Sequence, residues 1–149
     1  MRAFMQIFNQ DKSYGFDDRT YLAVGEYAGL VRIVDLFYNA MDSVPQAQKV
    51  RAMHRADLTP SKDKLVHFLS GWMGGPQIYA QKYGNINIPQ AHAHILIDET
   101  DRDAWLGCMQ FALSELDYPQ DLQDYLMTQL FKPAERIRQV SQEKHSSSP

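Results

Sequence analysis

The sequence predicts an all-α fold in a single domain. Two observations carry this: apolar residues recur at helical spacing in four separate stretches, and no strand-like alternation of useful length competes with them. The punctuation between the stretches is a third. Leu30, Ile33, Val34, Phe37 and Met41 follow the i, i+3, i+4, i+7, i+11 pattern of one buried helical face. Thr59-Pro60 reads as the N-cap and first residue of the next helix, whose stripe is Leu65, Phe68, Leu69 and Trp72. Gly74-Gly75-Pro76 stops that helix. Trp105, Cys108, Met109, Ala112 and Leu116 mark a third, and Tyr118-Pro119 a turn. Leu122, Tyr125, Leu126 and Leu130 mark the fourth, which Pro133 should kink or end, with a shorter continuation through Ile137.

Three segments lie outside this pattern. Residues 1–19 have little clean period and read as an N-terminal extension, either an extra helix or a partly ordered segment. Lys82 to Ile97 reads as a loop with a short helix near His92. Ser141 to Pro149 is polar and Ser-rich, the composition of a frayed tail. The expected division is therefore 1–19 extension, 20–140 helical domain and 141–149 polar tail.

Composition narrows the function classes. At 149 residues, 44% apolar and 22% charged, the chain is long enough to bury a sizeable core. A net charge of -3 without a basic run argues against a nucleic-acid binder. No apolar run approaches the ~18 residues of a membrane span, and no leader pattern opens the chain. Cys108 is the single cysteine, so no intramolecular disulfide framework exists. The expectation is a cytoplasmic protein that engages neither membrane nor nucleic acid.

The most informative stretch runs from Ser61 to Trp105. It holds an amphipathic helix ending in Phe68-Leu-Ser-Gly-Trp72-Met-Gly74-Gly75-Pro76-Gln-Ile-Tyr79, then His92 in an almost uncharged loop, then Trp105 thirteen residues later. This order of elements resembles the truncated haemoglobins, and within them group II, over roughly Thr20 to Arg138. The resemblance implies a truncated globin, a two-over-two helical sandwich, holding one b-type haem and its iron. No Cys-x-x-Cys-His occurs, so the haem is not expected to be covalently attached.

A haem iron takes a neutral imidazole whose other nitrogen is hydrogen-bonded nearby. Five histidines are available. His145 lies in the tail, and His67 points away from the centre of its helix's apolar stripe. Taken alone, His92 would be an ordinary loop histidine. Counting back from Arg102-Asp-Ala-Trp105, however, it falls where the family places its iron ligand, before Ile95-Leu96-Ile97. His94, two residues on, is the competitor. One departure is plain: where group II members commonly carry arginines before this histidine, the chain reads Pro89-Gln90-Ala91. Lys64 and Tyr79 match family positions that reach a haem propionate. Without the resemblance they would read as a solvated helix face and a packing residue.

On the ligand side, the resemblance points to Tyr38, Trp105 and His54 as residues that meet a bound gas, each otherwise an ordinary aromatic. Ser61 stands where many globins place a histidine. Leu65 and Phe68 would pack over the haem face, whereas Met109 and Met127 read as core filler. The implied function is reversible binding of dioxygen and other small gaseous ligands at a His-ligated iron, with detoxification of nitric oxide or peroxide. An enzyme of this kind borrows electrons from a separate reductase. The alternative is dioxygen storage, delivery (transport) or sensing without turnover, and the blandest is a globin-like protein without haem.

Overall fold

A computed structural model describes residues 14–85 and 87–146. Most of the expected extension, residues 1–13, and the last three residues of the expected tail lie outside them. Among the described residues every regular element is helical. A short helix α1 (Arg19–Ala23) runs through Val24-Gly25 directly into α2 (Glu26–Ser43). The junction is tight enough to require glycine: a Cβ on Gly29 would lie 1.8 Å from the Val24 carbonyl oxygen. The Tyr118 hydroxyl donates to that same carbonyl and ties the junction to a residue 94 positions later in the chain. Leu30, Ile33, Val34, Phe37 and Met41 are at most 1% exposed, so the predicted face of α2 is the core of the protein.

After a 3₁₀ turn (Pro45–Ala47) comes α3 (Gln48–Ala52), then the loop holding His54. Helix α4 spans Thr59–Trp72. Thr59 is its first helical residue rather than its cap; Asp57 accepts the Thr59 amide at 3.0 Å. The buried face of α4 also differs from the expected stripe. Val66, Leu69, Ser70 and Met73 are buried, while Leu65, Phe68 and Trp72 are half-buried on its flank. Polar residues can turn inward here because they are satisfied locally: the Ser70 hydroxyl donates to the Pro76 carbonyl at 3.0 Å. The double-glycine stop behaves as predicted. Gly74 has φ +87°, and a Cβ there would lie 1.8 Å from the Asp17 carbonyl oxygen.

Two short helices follow, α5 (Ile78–Tyr83) and α6 (Ile88–Ala91), then α7 (Glu99–Glu115) and α8 (Gln120–Ser146). A reciprocal cap opens α7. Asp98 accepts the Asp101 amide at 2.9 Å, and Asp101 accepts the Asp98 amide at 3.0 Å. Lys49 reaches the buried Asp101 at 3.1 Å, fastening α3 to the start of α7. Helix α2 packs on α4 and on α7, and α7 packs on α8. This is the two-over-two arrangement.

The last helix corrects two expectations. Pro133 neither ends α8 nor leaves only a short continuation, because the helix runs on to Ser146. The missing proline amide leaves the Gln129 carbonyl without its helical donor, and both residues are half-buried, within reach of water. The expected polar tail is helical as far as it is described, and Ser141 is fully buried.

Candidate functional site

Helix α2 presents Phe37 and Tyr38 side by side, one facing α7 and the other the His54 loop. Phe37 meets Trp105 edge-to-face at 5.1 Å between ring centres and Tyr38 at 4.9 Å; Tyr38 meets the His54 ring edge-to-face at 5.6 Å. Three of the residues singled out in the sequence thus join one chain of rings, with Phe37 as its hub. Phe37 was read only as core. Its hub role follows from where α7 crosses α2, which periodicity does not encode.

The polar ends of these rings are specific. Among the described residues no group accepts a hydrogen bond from the Tyr38 hydroxyl or the Trp105 indole N–H, so both donors are free of protein partners. Burial pushes the Tyr38 phenol up to about 12, with Arg51 pulling modestly the other way. At neutral pH it keeps its proton and donates. His54 is tied differently: its Nδ1 lies 2.9 Å from the Val50 carbonyl oxygen. A carbonyl only accepts, so Nδ1 carries the hydrogen, and in the neutral ring Nε2 is left as an acceptor. Burial first, then the nearby Arg51 and His92, lower the His54 pKa and favour that neutral form. His54 therefore has no N–H to spare, unlike Tyr38 and Trp105.

His92 closes helix α6, which Asn87 opens by accepting the Gln90 amide at 3.2 Å. The Ile88 carbonyl oxygen lies 2.8 Å from His92 Nδ1. By the same logic, the neutral ring of His92 holds its lone pair on Nε2. His92 is half-buried, whereas His94 is exposed. Gln90 and Ala91, at two of the positions where arginines were missed, are exposed.

A second group gathers on α4 and α5. Tyr79 meets Phe68 edge-to-face at 6.4 Å and Tyr83 at 5.2 Å, and the Lys64 ammonium sits 5.5 Å from the Tyr83 ring centre. Asp63 accepts from Lys82 at 2.7 Å and from the Tyr83 hydroxyl, which together hold its carboxyl below the usual range. Lys82 is thereby engaged. Lys64 is exposed and has no carboxylate within ion-pair distance among the described residues. Leu65 shares the half-buried flank of α4 with Phe68, and Ser61 is half-buried one turn earlier.

His67 departs from expectation. It is buried, with Nε2 3.4 Å from Asp63 and Nδ1 without a hydrogen-bond partner among the described residues, beside Tyr27 rather than the ring chain. Sequence reasoning also passed over Asn87, whose Asn-x-Pro pattern is a legible cap, and Ser141, which bonds the segment after His92.

The donor set fits a haem. An imidazole with its Nδ1 anchored, half-buried Leu65 and Phe68, and the exposed Lys64 ammonium are the kinds of group that an iron, a porphyrin face and a propionate require. No described helix is long and apolar enough to cross a membrane.

Comparison with known proteins gives concordant results. Residues 19–139 match the family described as bacterial-like globin. The chain is 30% identical over 128 residues to the group 2 truncated hemoglobin YjbI of Bacillus subtilis, covering 85% of this chain and 94% of that protein. In structure it is similar to the group II 2-on-2 hemoglobin of Agrobacterium tumefaciens, with a TM-score of 0.75, 31% identity, and coverage of 80% of this chain and 92% of that one. It is also similar to a truncated oxygen-avid haemoglobin from Bacillus subtilis, with a TM-score of 0.71, 28% identity, and coverage of 79% and 97%.

Proposed function

From the premise that this chain belongs to the bacterial-like globins, as a group II truncated haemoglobin that binds haem and small gaseous ligands, we propose that His92 ligates the iron and that Trp105 and Tyr38 hold the gas. The observation that carries this reading is the ring chain from Trp105 through Phe37 and Tyr38 to His54, with its two donors free of acceptors among the described residues.

When bound, the haem supplies a redox-active iron to which dioxygen, nitric oxide and similar gases attach. The anchored Nδ1 of His92 sets the ring tautomer and orientation. Leu65 and Phe68 cover the haem face and keep water from it. Lys64 and Tyr79 bind the propionates, a task that Pro89-Gln90-Ala91 cannot perform.

A bound gas that gained negative charge would be met by two hydrogen-bond donors of this chain. The indole N–H of Trp105 can only donate, and the Tyr38 hydroxyl stays protonated because it is buried. Two donors aimed at growing negative charge slow the release of dioxygen and favour its reaction in place. His54, with only an acceptor nitrogen to offer, orients a water and tunes rather than holds. This arrangement favours oxidation of nitric oxide to nitrate by dioxygen, or peroxide reduction, over delivery. The electrons come from a separate reductase in a cytoplasmic setting. The oxygen-avid character stated for the Bacillus subtilis relative agrees with this direction.

The decisive experiment is substitution of the ligand. His92→Gly should lose haem or yield a site restored by added imidazole, while His94→Ala keeps the wild-type absorption spectrum. The opposite result moves the assignment to His94.

A further inference from the structure

Ser141 lies past Pro133 on α8 and beyond the residues 19–139 that match the family. It is 0% exposed. A helical serine usually turns its hydroxyl back to a carbonyl of the preceding turn. Ser141 instead bridges out of its helix. Its Oγ donates to the Ile95 carbonyl at 2.5 Å and accepts the Ile97 amide at 2.8 Å. Gln142 adds a bond from Nε2 to the Ile97 carbonyl at 3.3 Å. Residues 95–97 belong to no helix or strand, so these contacts supply backbone partners that the segment cannot find within itself.

The clamped segment is bonded directly to His92. The Ile95 amide donates to the His92 carbonyl at 3.0 Å. On the other side, the Ile88 carbonyl receives the His92 amide at 3.2 Å and its Nδ1 at 2.8 Å. Helix α6, which supplies that carbonyl, packs on α8 as well. One helix therefore holds the backbone on both sides of the imidazole.

We propose that Ser141 is a positioning residue for His92: by clamping Ile95 and Ile97 to α8 it fixes the backbone that leaves the histidine, and with it the orientation of the ring toward the haem. The inference rests on His92 as the iron ligand. Deleting the hydroxyl strips partners from one amide and one carbonyl of a half-buried segment. The segment must then shift to recover them, and the Ile95–His92 bond carries that shift to the ring.

The test uses the ferrous holoprotein and two readouts, the iron–histidine stretching band in resonance Raman and amide hydrogen exchange at Ile97. Ser141→Ala should speed Ile97 exchange about tenfold, the ratio expected for one lost hydrogen bond, and should shift and broaden the band. Ser141→Cys keeps the shape with a weaker bond and should shift the band in the same direction by less, which covers a failure of Ser141→Ala to retain haem. Leu122→Ala loosens α8 from its buried face without touching residues 95–97 and should leave the band in place. A band unmoved in both Ser141 variants while Ile97 exchange rises reduces Ser141 to a structural contact and overturns the proposal, as does an equal shift in Leu122→Ala. Persistence of the wild-type band in His92→Gly would instead refute the assignment of the ligand, independently of Ser141.

Discussion

Tyr38→Phe deletes one oxygen and leaves almost everything else in place. The ring contacts with Phe37 at 4.9 Å and His54 at 5.6 Å do not involve the hydroxyl, and no described group accepts its proton. Folding therefore has little to lose, and the thermal midpoint should stay close to wild type. Ligand retention has much to lose. A hydrogen bond to a charged acceptor is worth ~1.5–3 kcal/mol, which corresponds to a roughly 10- to 150-fold faster release of dioxygen. Because burial holds the phenol up at about 12, the effect should be flat across the neutral range, with no titration of the donor. Trp105→Phe keeps an aromatic ring against Phe37 and removes the other donor, so it should behave alike, and the double variant should release fastest. The assay is stopped-flow dissociation of dioxygen from the ferrous protein at several pH values. If neither single substitution changes the rate by more than about twofold on that scale, both side chains are packing and the donor argument is wrong.

Two further outcomes test the frame around the site. Gly29→Ala places a methyl group against the Val24 carbonyl, where the Cβ would sit at 1.8 Å. The helices must part, and a loss of ~1–3 kcal/mol is expected from thermal or denaturant unfolding; an unchanged midpoint would mean that the junction is looser than described. His54 has a folded-state pKa below its ordinary 6.5, so the unfolded chain binds its proton first. Its contribution to stability is complete above pH ~6.5 and falls away as pH drops through the lower folded value. His54→Phe should accordingly flatten the decline of stability on the acid side, as measured by denaturant unfolding against pH, and identical slopes would exclude His54 as its source.

Local sequence determined the four main helices and most of their stops, because spacing, prolines and glycines act within a few residues of one another. The α2 stripe from Leu30 to Met41, the Gly74-Gly75 stop and the short helix before His92 were all legible for that reason. The order of motifs from Ser61 to Trp105 likewise pointed to the family, and the resemblance over Thr20 to Arg138 to His92, Tyr38, Trp105 and His54 as its candidate site. Tertiary structure decided what local pattern cannot express. His67 and Ser70 are buried and Leu65, Phe68 and Trp72 of the expected α4 stripe are turned to the flank, because the contacts of α4 with α2, not its own spacing, decide which side faces inward. Phe37 is the hub of the site because α7 crosses α2 at that residue. Pro133 does not end α8, and Ser141 is no tail residue, because the last turns of that helix are held by a backbone more than forty residues away in the chain. A hydroxyl that finds its partners at such separation leaves no periodicity to read, and only the folded chain brings the two together.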